Sequence, residues 1–315
     1  MPTLAEEEAP AAAGMRSLLS RLHAWWEGDE VAGDDADDPN GPSALRGGGN
    51  GQSAIADGWP PRRLEAVQRM FAPGCTFPGG RQEVLQQIEP LGLAEEMTVL
   101  DIAAGIGTAV RIIAEGTGAR ADGLQEDPNQ LEIANRLAAE AGLADKAVLK
   151  PGVLGHCAIE PESRDAVYGR QALLEVTDKD AAFRAIWDLL KPGGQVLLVE
   201  FAATGTVTTE DIQEWAGFEN IRPRLITAAE TKEKLAAAHF HVNAAEDITE
   251  TYCRQVLHGL GGMADTLKQR QLPKELRSWV LWEAEFWARR VGMLQKSEIG
   301  MFRFHASKEV KDAAA

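Results

Sequence analysis

An α/β fold with a doubly wound, Rossmann-like, mostly parallel sheet is predicted by three observations. Apolar, β-type runs alternate with helical patterns between residues 98 and 201, one such run ends in a glycine turn that opens a helix, and 44% of the residues are apolar. A chain of 315 residues with that content is long enough to build a sizeable core. Strands are expected at residues 98–102, 119–124, 147–150, 166–168 and 195–201, where short apolar runs are bounded by turn residues. Helices are expected between them at residues 109–116, 128–141 and 181–190, and this alternation implies a parallel, doubly wound sheet. A polar helical stretch at residues 209–238 follows, then a strand at 241–245. A helical region carrying Trp279, Trp282, Phe286 and Trp287 leads to a last strand at 298–305.

Before residue 59 the composition changes. Glu6-Glu7-Glu8, the acidic run at residues 34–38 and the cluster Gly47-Gly48-Gly49-Asn50-Gly51 bury too little apolar surface to offset chain entropy, so residues 1–58 read as a disordered extension. Within it, residues 15–26 place Leu18, Leu19, Leu22, Trp25 and Trp26 at helical spacing. That short amphipathic helix has two readings, a docking element for a protein partner or a membrane surface, or a helix packed on its own domain. Residues 59–308 form the expected domain, with a helical insert at about 250–296 before the last strand, and 309–315 form a tail.

A formal charge of −16 and a pI near 4.9 argue against nucleic acid as a partner, because no basic field exists to displace counterions from phosphates. Small or cationic substrates suit such a chain better. Cys75, Cys157 and Cys253 are far apart and read as free thiols in a reducing compartment. His156, His239, His241 and His305 show no metal-ligand spacing, so no metal is expected. No apolar run reaches membrane-spanning length and the first thirty residues lack a signal-peptide pattern, which makes the cytoplasm the expected location.

The candidate site starts at Val99-Leu100-Asp101-Ile102-Ala103-Ala104-Gly105-Ile106-Gly107-Thr108. Asp101 closes the strand and anchors the turn, while Gly105 and Gly107 let the backbone approach a ligand and the helix amides face the same place. In a doubly wound sheet the ligand lies beyond the carboxyl ends of the strands, so Gly105, Gln125, Val153 and Arg170 are expected to share one crevice. Positions 108–110 are Thr-Ala-Val, so the third glycine of the dinucleotide turn is missing, and no Gly-Lys-Ser or Gly-Lys-Thr of a phosphate loop follows.

Leu-Asp-Ile-x-x-Gly-x-Gly, the run from Gly123 to Ala134, and Leu189-Leu190-Lys191-Pro192-Gly193-Gly194 before a strand together resemble class I S-adenosylmethionine-dependent methyltransferases. Phe77-Pro78-Gly79-Gly80, the run from Tyr168 to Val176, and Glu246-Asp247-Ile248-Thr249 extend the resemblance to phosphoethanolamine and related small-molecule N-methyltransferases. The resemblance spans about residues 64–308. It implies a seven-stranded sheet with an antiparallel last strand at 300–305, S-adenosyl-L-methionine as cofactor and a small-molecule methyl acceptor, with methyl transfer to an amine nitrogen. It implies cofactor contacts from Asp101, Ala103, Gly105, Gly107, Gln125, Glu126, Val153 and Arg170, and catalytic or substrate contacts from Glu175, Gln171 and Tyr168.

Four positions depart from the family pattern. Gln125 stands where a carboxylate usually accepts both ribose hydroxyls, with Glu126 next to it as a replacement. Val153 stands where an acidic residue usually meets the adenine amino group, which backbone carbonyls or Cys157 would then cover. Gln171 and Glu175 replace an aspartate and a histidine. An active enzyme and a methyltransferase-like protein that has lost catalysis and serves as a binding or regulatory partner therefore both remain open, and a nucleotide-binding oxidoreductase is the remote third reading.

Overall fold

The computed structural model describes residues 60–207, 209–268, 273–296 and 298–309. The expected extension at 1–58, its amphipathic stretch at 15–26 and the tail beyond 309 lie outside the described residues.

Two helices, α1 (Pro61–Phe71) and α2 (Gly80–Ile88), precede a sheet whose strands and helices alternate as the sequence pattern requires. In order come β1 (Thr98–Asp101), α3 (Thr108–Thr117), β2 (Arg120–Gln125), α4 (Pro128–Glu140), β3 (Ala147–Val153), β4 (His156–Cys157), β5 (Arg164–Arg170), α5 (Lys179–Leu189) and β6 (Leu190–Ala203). Then follow α6 (Thr209–Glu219), α7 (Ala228–Ala237), β7 (Phe240–Asp247), α8 (Thr249–Lys268), α9 (Arg277–Lys296) and β8 (Ile299–Lys308). The spatial order is β4-β3-β2-β1-β5-β6-β8-β7. Strands β1, β2, β3, β5 and β6 pair in parallel, and β8 runs antiparallel between β6 and β7. Seven of these are the expected strands with the expected antiparallel last one. The eighth, β4, is a two-residue addition that folds back on β3, too short to leave an alternation pattern in the sequence.

Alternation of side chains along each strand builds a core on both faces. Val99, Tyr168, Leu197 and Val199 point to the face covered by α1, α2, α3, α8 and α9, where Met70, Val84, Val110, Val256 and Trp279 are buried. Leu100, Val167, Val196 and Leu198 point to the other face, against Phe183 and Ile186 of α5 and Leu235 of α7. Helix starts follow their caps. Asp127 accepts from the amides of Asn129 and Gln130 ahead of Pro128, and Thr227 with Glu230 forms a reciprocal capping box on α7.

The Lys191-to-Gly194 segment, expected as a turn before a strand, lies inside β6 as an irregular stretch with a register shift opposite β5. Gly193 supplies a positive φ of 77° there, and Lys191 Nζ ties the stretch to Asp165 at 2.8 Å. Among the described residues no helix is long and apolar enough to cross a membrane.

Candidate functional site

Strand β1 ends at Asp101, and the chain turns immediately into the glycine-bearing loop before α3. Ile102 and Ala104 still donate backbone hydrogen bonds to Tyr168 and Leu124, so the turn is suspended from the neighbouring strands on both sides. Asp101 is buried and accepts from the amide of Ala103 at 3.0 Å. The two glycines serve different ends. A Cβ on Gly107 would meet Leu149 Cδ1 at 3.0 Å, whereas a Cβ on Gly105 would meet nothing within 4 Å, so Gly107 answers to packing and Gly105 faces open space. Both hold positive φ, 52° and 73°. Ala103 is exposed on the same rim.

Burial pushes the Asp101 carboxyl up to about 7, against the lowering effect of the Ala103 amide. Glu200 on β6 is raised to about 8 for the same reason. Each carboxyl keeps its proton in the folded chain over a range in which the unfolded chain has released it, so stability falls as pH rises from about 4 to about 7 or 8 and then levels. For Asp101 the contribution is on the order of 4 kcal/mol at most. Asp101→Asn, which retains an oxygen for the Ala103 amide, is expected to show a smaller loss of urea midpoint than the parent between pH 5 and pH 8. An identical slope in both proteins would contradict this assignment.

The three positions expected around ribose and adenine differ in their commitments. Gln125 is engaged: its Nε2 donates to the Gly105 carbonyl at 3.0 Å and to Gln130 Oε1 at 3.1 Å, and its Oε1 accepts from the Asp127 amide at 2.8 Å. A carboxylate there could not donate to the Gly105 carbonyl, which is a physical reason for glutamine at this position. Glu126 is exposed at the same turn. Val153 is a large apolar side chain left 37% exposed, opposite His156 in the β3–β4 hairpin.

A loop from α1 closes the other side of the turn. Thr108 Oγ1 and Arg111 Nη2 both donate to the Gly74 carbonyl at 2.9 Å, and this fixes residues 74–79 beside the α3 N-terminus. Phe77 from this loop lies under the guanidinium of Arg170 at 4.5 Å. The Arg170 side chain is 8% exposed and sits 3.9 Å from Glu83, yet among the described residues none of its three guanidinium nitrogens has a hydrogen-bond partner. Its charge is met by the Glu83 carboxylate, whereas its N–H groups are short of hydrogen-bond acceptors, which is uncommon for buried donors. Tyr168, two residues earlier on the same face, is fully buried and its hydroxyl donates to Gln87 Oε1 at 3.1 Å. Burial pushes its phenol well up, and the structure places it as a post beneath α2 rather than in an open cleft.

Beyond β5, Gln171 and Glu175 line a separate cleft of about 380 Å³ with Leu174, Glu219, Ile221 and Arg290. Gln171 holds a positive φ of 54°, unusual for a side-chain-bearing residue, while its amide donates to the Val199 carbonyl at 2.7 Å. Glu175 is exposed and one of its oxygens accepts from the Arg222 amide at 2.7 Å. The intervening backbone is gripped from below: Glu200 accepts from the Leu173 amide at 3.0 Å and Lys179 Nζ donates to the Leu173 and Val176 carbonyls. Sequence reasoning missed Glu200, Glu219 and Arg290, none of which carries a local motif. Among the described residues no group of three or more histidine, cysteine, aspartate or glutamate side chains is arranged to hold a metal.

Residues 99–194 match the family model described as a methyltransferase domain. The sterol 24-C-methyltransferase of Aspergillus fumigatus is 33% identical over 114 residues, 36% of this chain and 30% of that protein. A phosphoethanolamine N-methyltransferase of Triticum aestivum is 28% identical over 191 residues, 59% of this chain and 36% of that protein. The chain thus spans about a third of the length of these curated relatives. Among solved structures, the Haemonchus contortus phosphoethanolamine N-methyltransferase 2 in complex with S-adenosyl-L-methionine superposes with a TM-score of 0.69 at 20% identity, covering 78% of this chain and 56% of that one. The [4+2]-cyclase SpnF shares the fold with a TM-score of 0.63 at 20% identity, covering 79% and 93%.

Proposed function

We propose, from the methyltransferase-domain match over residues 99–194 and the fold shared with a structure in complex with S-adenosyl-L-methionine, that this chain transfers a methyl group to the nitrogen of a small amine. The observation that carries the reading is the open space over Gly105 just past the end of β1, next to β5, whose Arg170 stacks on Phe77 with N–H groups short of hydrogen-bond acceptors. That arrangement fits a cofactor with a nucleoside at one end and an amino-acid carboxylate at the other. Ala103, Gly105 and Gly107 supply backbone room, Asp101 fixes the turn, Arg170 takes the carboxylate, Glu126 accepts from the ribose and Val153 gives adenine an apolar flank. Gln125 acts on the ribose only indirectly, by holding the Gly105 carbonyl.

When bound, S-adenosyl-L-methionine supplies an electrophilic methyl group on a sulfonium. The protein's own task is alignment and removal of a proton from the attacking nitrogen. Glu175 has one oxygen committed to the Arg222 amide and the other free to draw in an ammonium and accept its proton. Tyr168 contributes by positioning α2. The cleft is small and bears charge at Glu175, Glu219 and Arg290, which suits a compact polar amine and not a sterol ring system. Cys75 and Cys253, both buried free thiols, support a cytoplasmic setting.

A second reading, a binding protein without transfer, is favoured by the engagement of Gln125 and by a cyclase with the same fold. Methyl-labelled cofactor incubated with the full chain and a panel of small amines is expected to label an amine. Glu175→Gln is expected to lower kcat/KM on the order of 10²-fold. Labelling of no amine under any condition would overturn the transfer reading in favour of the second.

A further inference from the structure

Gln171 is the residue whose geometry exceeds what the fold requires. It stands in a left-handed backbone conformation at the mouth of the acceptor cleft, and its side-chain oxygen is held by an arginine from the distant insert helix α9. Arg290 is 6% exposed and pairs through two nitrogens with Glu219, Nε to Oε1 at 2.6 Å and Nη2 to Oε2 at 2.7 Å. Its third nitrogen, Nη1, donates to Gln171 Oε1 at 3.0 Å. The fork cannot swing, because Glu219 is itself fixed by Trp215 Nε1 at 2.7 Å and the guanidinium stacks over Phe286 at 4.5 Å and Trp287 at 5.2 Å.

An arginine only donates, so the amide of Gln171 has one permitted orientation, oxygen toward Arg290 and nitrogen away from it. A free glutamine presents donor or acceptor by rotation. This one presents a donor. Among the described residues Gln171 Nε2 has no hydrogen-bond partner, and the residue lines the same cleft as Glu175, whose second oxygen is unspent. The cleft therefore offers one fixed donor and one carboxylate acceptor on the same short loop.

We propose that Arg290 is a positioning residue that locks Gln171 as a hydrogen-bond donor, and that the acceptor is an amine carrying a hydrogen-bond-accepting oxygen close to its nitrogen. The ammonium meets Glu175 and the oxygen meets Gln171 Nε2. This inference rests on the amine reading above for the identity of the cleft, but its test does not depend on catalysis. The shared chemistry, an amine beside an oxygen, is found in amino alcohols and in amino acids, and the two are separated by including both.

Ethanolamine, glycine and propylamine, the last matching ethanolamine in size without its oxygen, are titrated into the full chain and followed on the Gln171 side-chain amide by ¹⁵N NMR. The resonance is assigned by its loss in Gln171→Gly, which keeps the backbone conformation legal. Ethanolamine or glycine is expected to bind at least about tenfold more tightly than propylamine, the effect of one well-made hydrogen bond to a fixed donor. Arg290→Met with Glu219→Gln removes the lock without stranding a buried charge and leaves an acceptor for Trp215. In that variant the preference is expected to fall to about onefold, with the thermal midpoint monitored to show that the fold persists. Equal binding of the oxygen-bearing amines and propylamine to the parent, or no shift of the Gln171 resonance with any of them, would overturn the proposal, as would a preference that survives in Gln171→Gly. Selective binding with no labelled product would uphold it while refuting methyl transfer.

Discussion

Gly105→Val is expected to weaken binding of S-adenosylhomocysteine at least on the order of 100-fold while leaving the fold intact. A Cβ at this position meets nothing within 4 Å, so a side chain there grows out into the open space over the turn. The positive φ of 52° costs about 1–3 kcal/mol in a β-branched residue, still a fraction of a domain's stability. Calorimetric titration and a thermal melt on the same sample separate the two effects. Unchanged affinity would mean that the space over Gly105 is not where the nucleoside lies. Complete unfolding would mean that the turn tolerates no side chain for reasons other than a ligand.

The largest loss of stability is expected from Glu283→Ala. Glu283 is fully buried in α9, accepts from Arg63 Nε at 2.7 Å and from Trp287 Nε1 at 3.0 Å, and joins α9 to α1. Its removal takes from the Arg63 guanidinium, 2% exposed and 4.5 Å from the Trp282 ring centre, the carboxylate that accepts from its Nε. Breaking one partner of such a buried pair costs about 3–5 kcal/mol. Equilibrium urea unfolding reads this as a lower midpoint, and a loss below about 1 kcal/mol would show that the pair is solvated or replaceable. Because α1 also buries Leu64 and Val67 against Ile106 in the glycine turn, cofactor affinity is expected to weaken in the same variant.

The sheet was legible because its information is local. Residues 98–102, 119–124 and 195–201 announce strands through short apolar runs, and Asp101, Gly105 and Gly107 announce the turn through spacing within seven residues. Tyr168 shows the limit of that reading: its position at the end of β5 pointed to the site, but alternation turns its ring under α2, where Gln87 takes the hydroxyl. Gln125 shows another limit, since its engagement with the Gly105 carbonyl spans 20 residues and depends on two loops meeting. Arg290 reaches Gln171 across 119 residues and Glu219 across 71, distances at which no periodicity or motif carries information. The same holds for Glu200 beneath the 171–176 loop, which reads in sequence only as an acidic residue in an apolar strand.

The central proposal is that the space over the Asp101–Gly107 turn holds a sulfonium nucleoside cofactor, with Arg170 of the neighbouring strand β5 meeting its carboxylate. Its most direct test is a calorimetric titration of the full chain with S-adenosyl-L-methionine and with S-adenosylhomocysteine. Saturable one-to-one binding is expected with a Kd on the order of micromolar, lost in Gly105→Val and weakened at least about tenfold in Arg170→Met. Absence of heat with either ligand at millimolar concentration, in a sample whose thermal melt is cooperative, would contradict it.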